Sequence, residues 1–319
     1  MGRRQFAMFA RIGAHGSCRA TAWGAGMKVS VIVTTYNWPQ ALRLVLQGLA
    51  RQTRRPEEVI VADDGSGPQT RQLLEEIAAD FPVPLRHHWQ EDLGFRAARS
   101  RNRAIAAAGG DYVVMLDGDM VVHRDFVADH LRYAHAGSFV QGSRALTTSM
   151  LSQRMLRDGM IDLGVFTPQL ERRRNAVRCV PLASLNLIRA GRRPPRAIKT
   201  CNQGWFRADL LQVNGFDERM QGWGREDSEL AWRAWHSGIA PRHLRFAALA
   251  WHLHHPERHQ DGDSANDRYL RETRAAKISR AERGVDQHLR EFEMSPLPDL
   301  RMPGAASDWQ PAPLAAISC

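Results

Sequence analysis

The sequence predicts an α/β fold built on a mainly parallel sheet with helices on both sides. Three observations predict it. Short apolar runs of strand length alternate with segments whose apolar residues recur at helical spacing. The strand-like runs are near-continuous, as strands covered on both faces require. Two of them end on acidic, glycine-containing turns of the kind that punctuate strand-to-helix connections.

Residues 1 to 26 carry arginine, glycine and small residues without the apolar stretch of a secretory signal. They are expected to be a disordered extension, and Met27 stands where a start would fall. Val29 to Thr34 (VSVIVT) reads as the first strand. Pro39 suits an early helical position, and Ala41, Leu42, Val45, Leu46 and Leu49 follow with helical periodicity. Glu58 to Ala62 is a second strand, Leu73, Leu74 and Ile77 mark a second helix, and Leu85 to Trp89 is a third strand. Ala97 to Ala108 reads as a helix stopped by Gly109-Gly110. Asp111 to Leu116 is a fourth strand, running directly into Asp117-Gly118-Asp119. Between about Ser143 and Thr200 the rhythm is lost in an arginine-rich stretch, expected to be an elaborated and partly mobile segment over the site. Order returns at Asn202, with a helix over 225–237, a strand from Leu244 to Trp251 and a charged helix over 262–283. The end, from about Met294, is rich in proline, alanine and glycine and reads as a disordered tail.

Bulk properties set limits on function. Across 319 residues, 43% are apolar, enough for a sizeable core. No run reaches the ~18 consecutive apolar residues of a membrane span. The formal charge is +10, nearly all of it arginine, with lysine only at Lys28, Lys199 and Lys277. That excess suits an anionic partner. Nucleic acid is disfavoured, because no lysine-rich tail or aromatic-basic repeat is present. Peripheral attraction to an anionic membrane surface fits the arginine-rich surface better. Cys18, Cys179, Cys201 and Cys319 lack paired spacing, so neither a disulfide framework nor a zinc finger is expected. A reduced chain in the cytoplasm, in part at the inner face of the membrane, is the plain expectation.

Four clusters carry the chemistry. Asp117-Gly118-Asp119 places two carboxylates just past a buried strand, at the end where open α/β sheets bind ligands. Their mutual repulsion is removed by a divalent cation with oxygen preference, Mg²⁺ or Mn²⁺. A solvated Asp-Gly turn is the simpler alternative. Asp63-Asp64-Gly65-Ser66 ends another strand. If the two strands run parallel in one sheet, both clusters emerge on one edge, where a carboxylate accepts a base N–H or ribose hydroxyls. Gly222-Trp223-Gly224-Arg225-Glu226-Asp227 leads into a helix. Acids there complement the helix dipole, or supply a general base beside a tryptophan that stacks on a sugar. Trp251-His252-Leu253-His254-His255-Pro256 offers an imidazole to complete the shell of a cation at Asp119, without the spacing of a zinc motif.

The motifs VTTYN (33–37), VADDGS (61–66), GFRAARSRNRAI (94–105), LDGDM (116–120), GWGREDSELAWR (222–233) and WHLHHP (251–256) occur in that order. The set resembles the family 2 glycosyltransferases with a GT-A fold. It is most similar to the branch with a galactosyltransferase-like C-terminal half, which includes bacterial chondroitin-polymerase-type enzymes. The resemblance implies a nucleotide-sugar-binding half over 27–142 and an acceptor-binding, catalytic half of the same domain over 143–260. A C-terminal helix over 261–293 and a tail over 294–319 follow. It implies that Thr34 and Asp64 hold the uridine, that Asp117 faces the ribose, and that Asp119 binds the metal with His252, His255 being second choice. Asp227 matches the base, Glu226 an acid contacting the acceptor, and Trp223 the acceptor platform. The family's basic donor contact falls among Arg96, Arg99 and Arg101, with Arg101 taken for the site.

The reaction implied is inverting, metal-dependent transfer from a UDP-linked sugar to a hydroxyl of a glycan or glycoconjugate, with Mn²⁺ or Mg²⁺ as cofactor. Two rivals stand beside it. A sugar-phosphate nucleotidyltransferase would carry a glycine-rich phosphate loop where this chain reads Thr35-Tyr36-Asn37-Trp38-Pro39. A non-catalytic carbohydrate-binding relative would keep Trp223 and lose Asp119 or Asp227, and both acids are present.

Overall fold

The computed structural model describes residues 26–190, 192–256 and 263–302. The chain runs β1 (Val29–Thr35), α1 (Pro39–Ala50), β2 (Glu58–Asp63), α2 (Pro68–Ala78), β3 (Leu85–Trp89), α3 (Ala97–Ala107) and β4 (Tyr112–Asp117). It continues with β5 (Met120–Val122), α4 (Phe126–Tyr133), β6 (Ser138–Gly142), β7 (Ala145–Thr147), α5 (Ser149–Asp158), β8 (Leu170–Glu171) and α6 (Val180–Ala190). Then come β9 (Asn202–Phe206), α7 (Arg207–Gln212), α8 (Glu226–His236), β10 (Ala240–Leu244), β11 (Ala250–His252), α9 (Ala265–Ala275) and α10 (Leu289–Met294).

Seven strands form the main sheet in the order β10-β6-β9-β4-β1-β2-β3. All pair in parallel except β9, which is antiparallel to both β4 and β6. The alternation of side chains along each strand divides the core in two. Val31, Val33, Val59, Val61, Val114 and Leu116 face a cluster shared with α1, α2, α4 and α6. Ile32, Ile60, Val113 and Met115 face one shared with α3, α7, α8 and α10. A smaller sheet, β5-β11-β7-β8, packs with α5 and α1 around Val121, Ala145, Leu151 and Trp251. The expected α/β fold is therefore present, and β2 and β4 both flank β1 in parallel, so their C-terminal ends share one edge.

Glycine is required at that edge. Gly65 sits at φ +100°, and a Cβ there would lie 2.6 Å from Asp92 Cα. At Gly118, whose N–H donates to Thr34 O (2.7 Å), a Cβ would meet Thr34 O and Thr35 Oγ1 at 3.0 Å.

Several expectations need correction. Residues 143–200 contain regular elements, β7, α5, β8 and α6, hidden in the sequence by short strands and interspersed arginine. The apolar run Leu244 to Trp251 is not one strand. It joins the end of β10 to β11 through a turn with exposed Arg245, half-buried Phe246 at φ +64° and buried Ala248 at φ +48°. Apolar runs report burial, and here the buried stretch is a loop crossing the core. The charged helix expected over 262–283 is confined to α9, which opens on a Ser264–Asp267 capping box and gives way near Lys277 at φ +51°. The expected C-terminal helix over 261–293 is thus broken into α9, a 3-10 turn at Val285–Gln287 and α10. Residues 297–300 of the expected tail cover the edge strand β3. Leu85 N–H donates to Asp299 Oδ1 (3.3 Å), and Leu300 N–H to Leu85 O (2.8 Å). Residues 1–25 of the expected 1–26 extension, with Cys18, and residues 303–319 of the expected tail, with Cys319, lie outside the described residues.

One buried ion pair fixes α8. Arg233 is fully buried and donates to both carboxylate oxygens of Glu229 (2.7 and 2.9 Å) and to Gly215 O (2.7 Å). Thr273 of α9 donates to the same carboxylate (2.9 Å). Arg233→Ala would strand a buried carboxylate and should lower the unfolding free energy by about 3–5 kcal/mol. Urea denaturation measures this, and a loss below about 1 kcal/mol would contradict the pairing. Arg233→Met combined with Glu229→Leu should recover much of the loss, because no charge is then left unpaired.

Candidate active site

The C-terminal ends of β1, β2 and β4 open into a cleft of about 610 Å³. Thr34, Asp64, Arg101, Asp117, Asp119, Trp223, Glu226, Asp227 and His252 all line it. The structure thus brings together every site residue expected from the sequence. The register explains part of this, since Thr34 of β1 pairs with Ala62 on one side and Asp117 on the other.

The two aspartates that end β2 divide their tasks. Asp63 is fully buried, where its carboxylate accepts from Ser66 N–H (2.8 Å) and meets His87 Nε2 (3.0 Å). Asp64, 4% exposed, turns to the cleft and accepts from Gln90 Nε2 (2.6 Å) and Arg96 N–H (2.8 Å). Burial raises its carboxyl above the usual range against those hydrogen bonds.

Of the three candidate arginines, Arg101 is the one that lines the cleft. Arg99 turns to Gln90 Oε1 (2.9 Å), and Arg96 to Glu91 O. Arg101 is buried and donates to Thr34 Oγ1 (3.1 Å), Glu226 Oε1 (3.2 Å) and Asp117 Oδ1 (3.3 Å). One guanidinium therefore joins β1, β4 and the start of α8.

Asp119 lies apart from this network. Strand β11 pairs antiparallel with β5, setting His252 opposite Met120, and Leu253 N–H donates to Asp119 O (3.0 Å). This carries two imidazoles to the aspartate. Asp119 Oδ2 lies 3.5 Å from His252 Nε2 and 3.2 Å from His255 Nε2. Each of the three residues offers a ligand atom within 4.8 Å of the others, a spacing one metal ion can bridge. His254 is exposed and stays outside the group.

The donor set fits a divalent cation. Asp119 Oδ1 is buried with no hydrogen-bond partner among the described residues. His255 Nδ1 lies 2.9 Å from Pro256 O, a hydrogen bond that leaves Nε2 facing the aspartate. Burial holds His252 down at about 4, so it is a neutral imidazole at pH 7. The hydrogen bond to Asp119 raises His255 to about 8. Burial opposes the Asp119 charge, but His255 and His252 outweigh it and keep that carboxyl below the usual range. Asp117 goes the other way, raised by burial and by Asp119 against the pull of Arg101.

Also lining the cleft, Glu226 and Asp227 begin α8 behind Arg225, which takes φ +76°. Glu226 Oε2 is buried without a hydrogen-bond partner among the described residues. Asp227 Oδ1 accepts from Ser228 N–H (2.6 Å). Burial, then the Glu226 charge, push the Asp227 carboxyl up to about 7. Trp223 stands at the rim, 44% exposed.

Sequence reasoning missed Arg144, Lys199 and Cys201, which also line the cleft. Arg144 Nη1 donates to Cys201 Sγ (3.1 Å) and lies close enough to Asp117 and Asp119 to feel both charges. Burial pushes the Cys201 thiol up to about 12, so it is no nucleophile at neutral pH. Nothing marks these residues in the sequence, because they fall in the stretch without motifs.

Comparison with known proteins agrees with the geometry. The family model described as glycosyl transferase family 2 matches residues 30–190. The model described as the N-terminal domain of galactosyltransferase matches 191–256. The chain is 26% identical over 253 residues to chondroitin synthase of Escherichia coli, covering 74% of this chain and 36% of that protein. It is 31% identical over 222 residues to validoxylamine A glucosyltransferase of Streptomyces hygroscopicus subsp. limoneus, covering 66% and 48%. The chain thus spans between a third and a half of the length of these relatives. Among solved structures, S. aureus TarS 1-349 in complex with UDP-GlcNAc superposes with a TM-score of 0.53 at 20% identity, covering 84% of this chain and 72% of that one. A mannosyltransferase from Pyrobaculum calidifontis, in complex with GDP-Man and Mn²⁺, gives 0.51 at 21% identity, covering 73% and 58%. The fold is GT-A, and with the first family model spanning half of its length the chain belongs to glycosyl transferase family 2.

Proposed function

We propose that the protein is a metal-dependent, inverting glycosyltransferase that moves a sugar from a UDP-linked donor to a hydroxyl of a glycan or glycoconjugate. One observation carries the reading. Asp119, His252 and His255 converge within 4.8 Å in the same cleft that Trp223, Glu226 and Asp227 also line. A cation site and a carboxylate with a raised pKa then face one space large enough for a nucleotide sugar.

Each wall has a task. Asp64, with Thr34 beside it, holds the nucleoside, and Asp117 faces the ribose. Asp119 with His252 and His255 would hold Mn²⁺ or Mg²⁺. Such a cation neutralises charge on a diphosphate leaving group. Arg144 and Lys199 add positive charge to the same wall. Trp223 supports the acceptor sugar, and the unpaired Glu226 Oε2 accepts from one of its hydroxyls. Asp227 takes the proton of the attacking hydroxyl as the new C–O bond forms and the bond to the diphosphate breaks. Attack opposite the leaving group inverts the anomeric centre, the single-displacement logic shared with inverting glycosidases. Arg101 binds carboxylates from both walls and is a positioning residue.

A hydrolysis screen of UDP-, GDP- and TDP-sugars with Mn²⁺ or Mg²⁺ tests the assignment, since donor hydrolysis does not require the acceptor. Release of nucleoside diphosphate that stops with EDTA and returns with the metal is expected. No release from any donor would overturn the reading.

Asp119→Ala should weaken Mn²⁺ binding roughly 100-fold, measured by the electron paramagnetic resonance signal of free Mn²⁺ with circular dichroism unchanged. Equal affinity would remove Asp119 from the ligand set. Asp227→Asn should slow transfer by about 10²-fold or more and leave donor affinity intact. Its thermal midpoint should not fall, because the neutral amide replaces a charge that burial and Glu226 oppose. Loss of donor affinity instead would move Asp227 out of the base role. The pH profile follows with its sign. Below about 7 the Asp227 carboxyl is protonated and cannot accept a proton, so kcat/KM should fall as pH drops below that value. A profile flat from pH 5 to 8 would contradict the role.

A further inference from the structure

Helix α6 presents two unlike faces. Ala183 and Leu187 are buried in the main core, and Tyr133 Oη donates to Val180 O (3.0 Å). The opposite side is apolar and bare. Leu182 is 45% exposed, Leu185 41% and Ile188 79%. They recur every three residues, which on a 3.6-residue turn keeps them on one side of the helix.

The charge along this stretch of chain is one-sided. Between Glu171 and Asp209 the chain has no acidic residue and ten basic ones. Arg189 on the helix, and Arg193 and Arg196 just beyond it, are exposed and make no ion pair among the described residues. An apolar strip on a core-anchored helix, flanked by unpaired guanidinium groups, is the composition of a helix that lies in a membrane interface. No helix among the described residues is long and apolar enough to cross a membrane.

We propose that α6 docks the protein on an anionic bilayer surface. Leu182, Leu185 and Ile188 enter the boundary between headgroups and acyl chains, and the neighbouring arginines meet the lipid phosphates. The charge complementarity selects an anionic bilayer over a second copy of the chain, since two copies joined through this face would bring like charges together. From the helix the chain runs on to the cleft wall at Ile198, Lys199, Thr200 and Cys201, so docking here tethers the cleft to the surface. The proposal is independent of the reaction assigned above, because none of its residues lines the cleft.

Vesicle co-sedimentation of the full chain tests it, at about 0.1 M salt so that charge attraction is not fully screened. The probes are pure phosphatidylcholine vesicles and vesicles of roughly three parts phosphatidylcholine to one part phosphatidylglycerol. Binding to the mixed vesicles should be at least about tenfold tighter than to the neutral ones. The combined variant Leu182→Ser, Leu185→Ser, Ile188→Ser should weaken it about tenfold or more, the scale of withdrawing aliphatic side chains from an apolar medium. Arg189→Glu with Arg193→Glu should weaken it similarly, and both variants should melt at the temperature of the parent. If the serine variant binds like the parent, the whole basic surface is responsible and the proposal fails. It also fails if the parent ignores vesicles and forms a dimer in sedimentation velocity that the serine variant abolishes, for then the face belongs to a second copy.

Discussion

The structure depends on how acidic side chains are kept at close quarters. Asp117, Asp119, Glu226 and Asp227 share one cleft, and charges so placed in partly dry surroundings repel one another. The chain answers with one buried guanidinium. Arg101 bonds to Asp117 at the end of β4 and to Glu226 at the start of α8, and Thr34 takes a third hydrogen bond. The two walls are thereby held at a fixed distance by the charges that would drive them apart. Arg101 leaves two acids unsatisfied in different ways. Asp119, with a buried free oxygen, turns to two imidazoles. Asp227, beside Glu226, is pushed toward a neutral pKa. The candidate cation site and the proposed proton acceptor both trace to one incomplete compensation of charge.

The scaffold divides rigidity from chemistry. Parallel strands buried on both faces deliver Asp64 and Asp117 to one edge with no freedom of register. The start of α8 is secured differently, by the buried Arg233–Glu229 pair and the α9 threonine that joins it. These bonds lie on the helix that starts with Glu226 and Asp227, one to two turns from the acids they support. The imidazoles depend on neither device. They are placed by the small sheet, in which three residues of β11 pair with β5.

Much of this was legible in the sequence for a physical reason. Buried strands leave continuous apolar runs, and the turns that follow need glycine where a Cβ would strike the neighbouring backbone, as at Gly65, or would crowd it, as at Gly118. Strand β3 matches its expected span, and α1 carries the five expected buried residues. The reading failed where burial and secondary structure part company. Leu244 to Trp251 is apolar because it crosses the core, yet its middle turns through left-handed backbone. The segment carrying α5 and α6 hid its helices among arginines.

By itself the amino-acid sequence determined the α/β class, the order of the elements from β1 to β4 and the set of acids and imidazoles available to the site, because periodicity and turn chemistry are local. Only the tertiary structure decided which of them meet. Asp63 and Asp64 are adjacent in the chain, but strand geometry sends one inward and one to the cleft. Arg96, Arg99 and Arg101 share one short segment, but among them only Arg101 lines the cleft, where it bonds Thr34 of β1 and Asp117 of β4. Arg144 and Lys199 have no local signature, and they reach the cleft through the packing of a segment that carries no motif. Convergence of charges far apart in sequence is a property of packing, and packing is not written in any single stretch of residues.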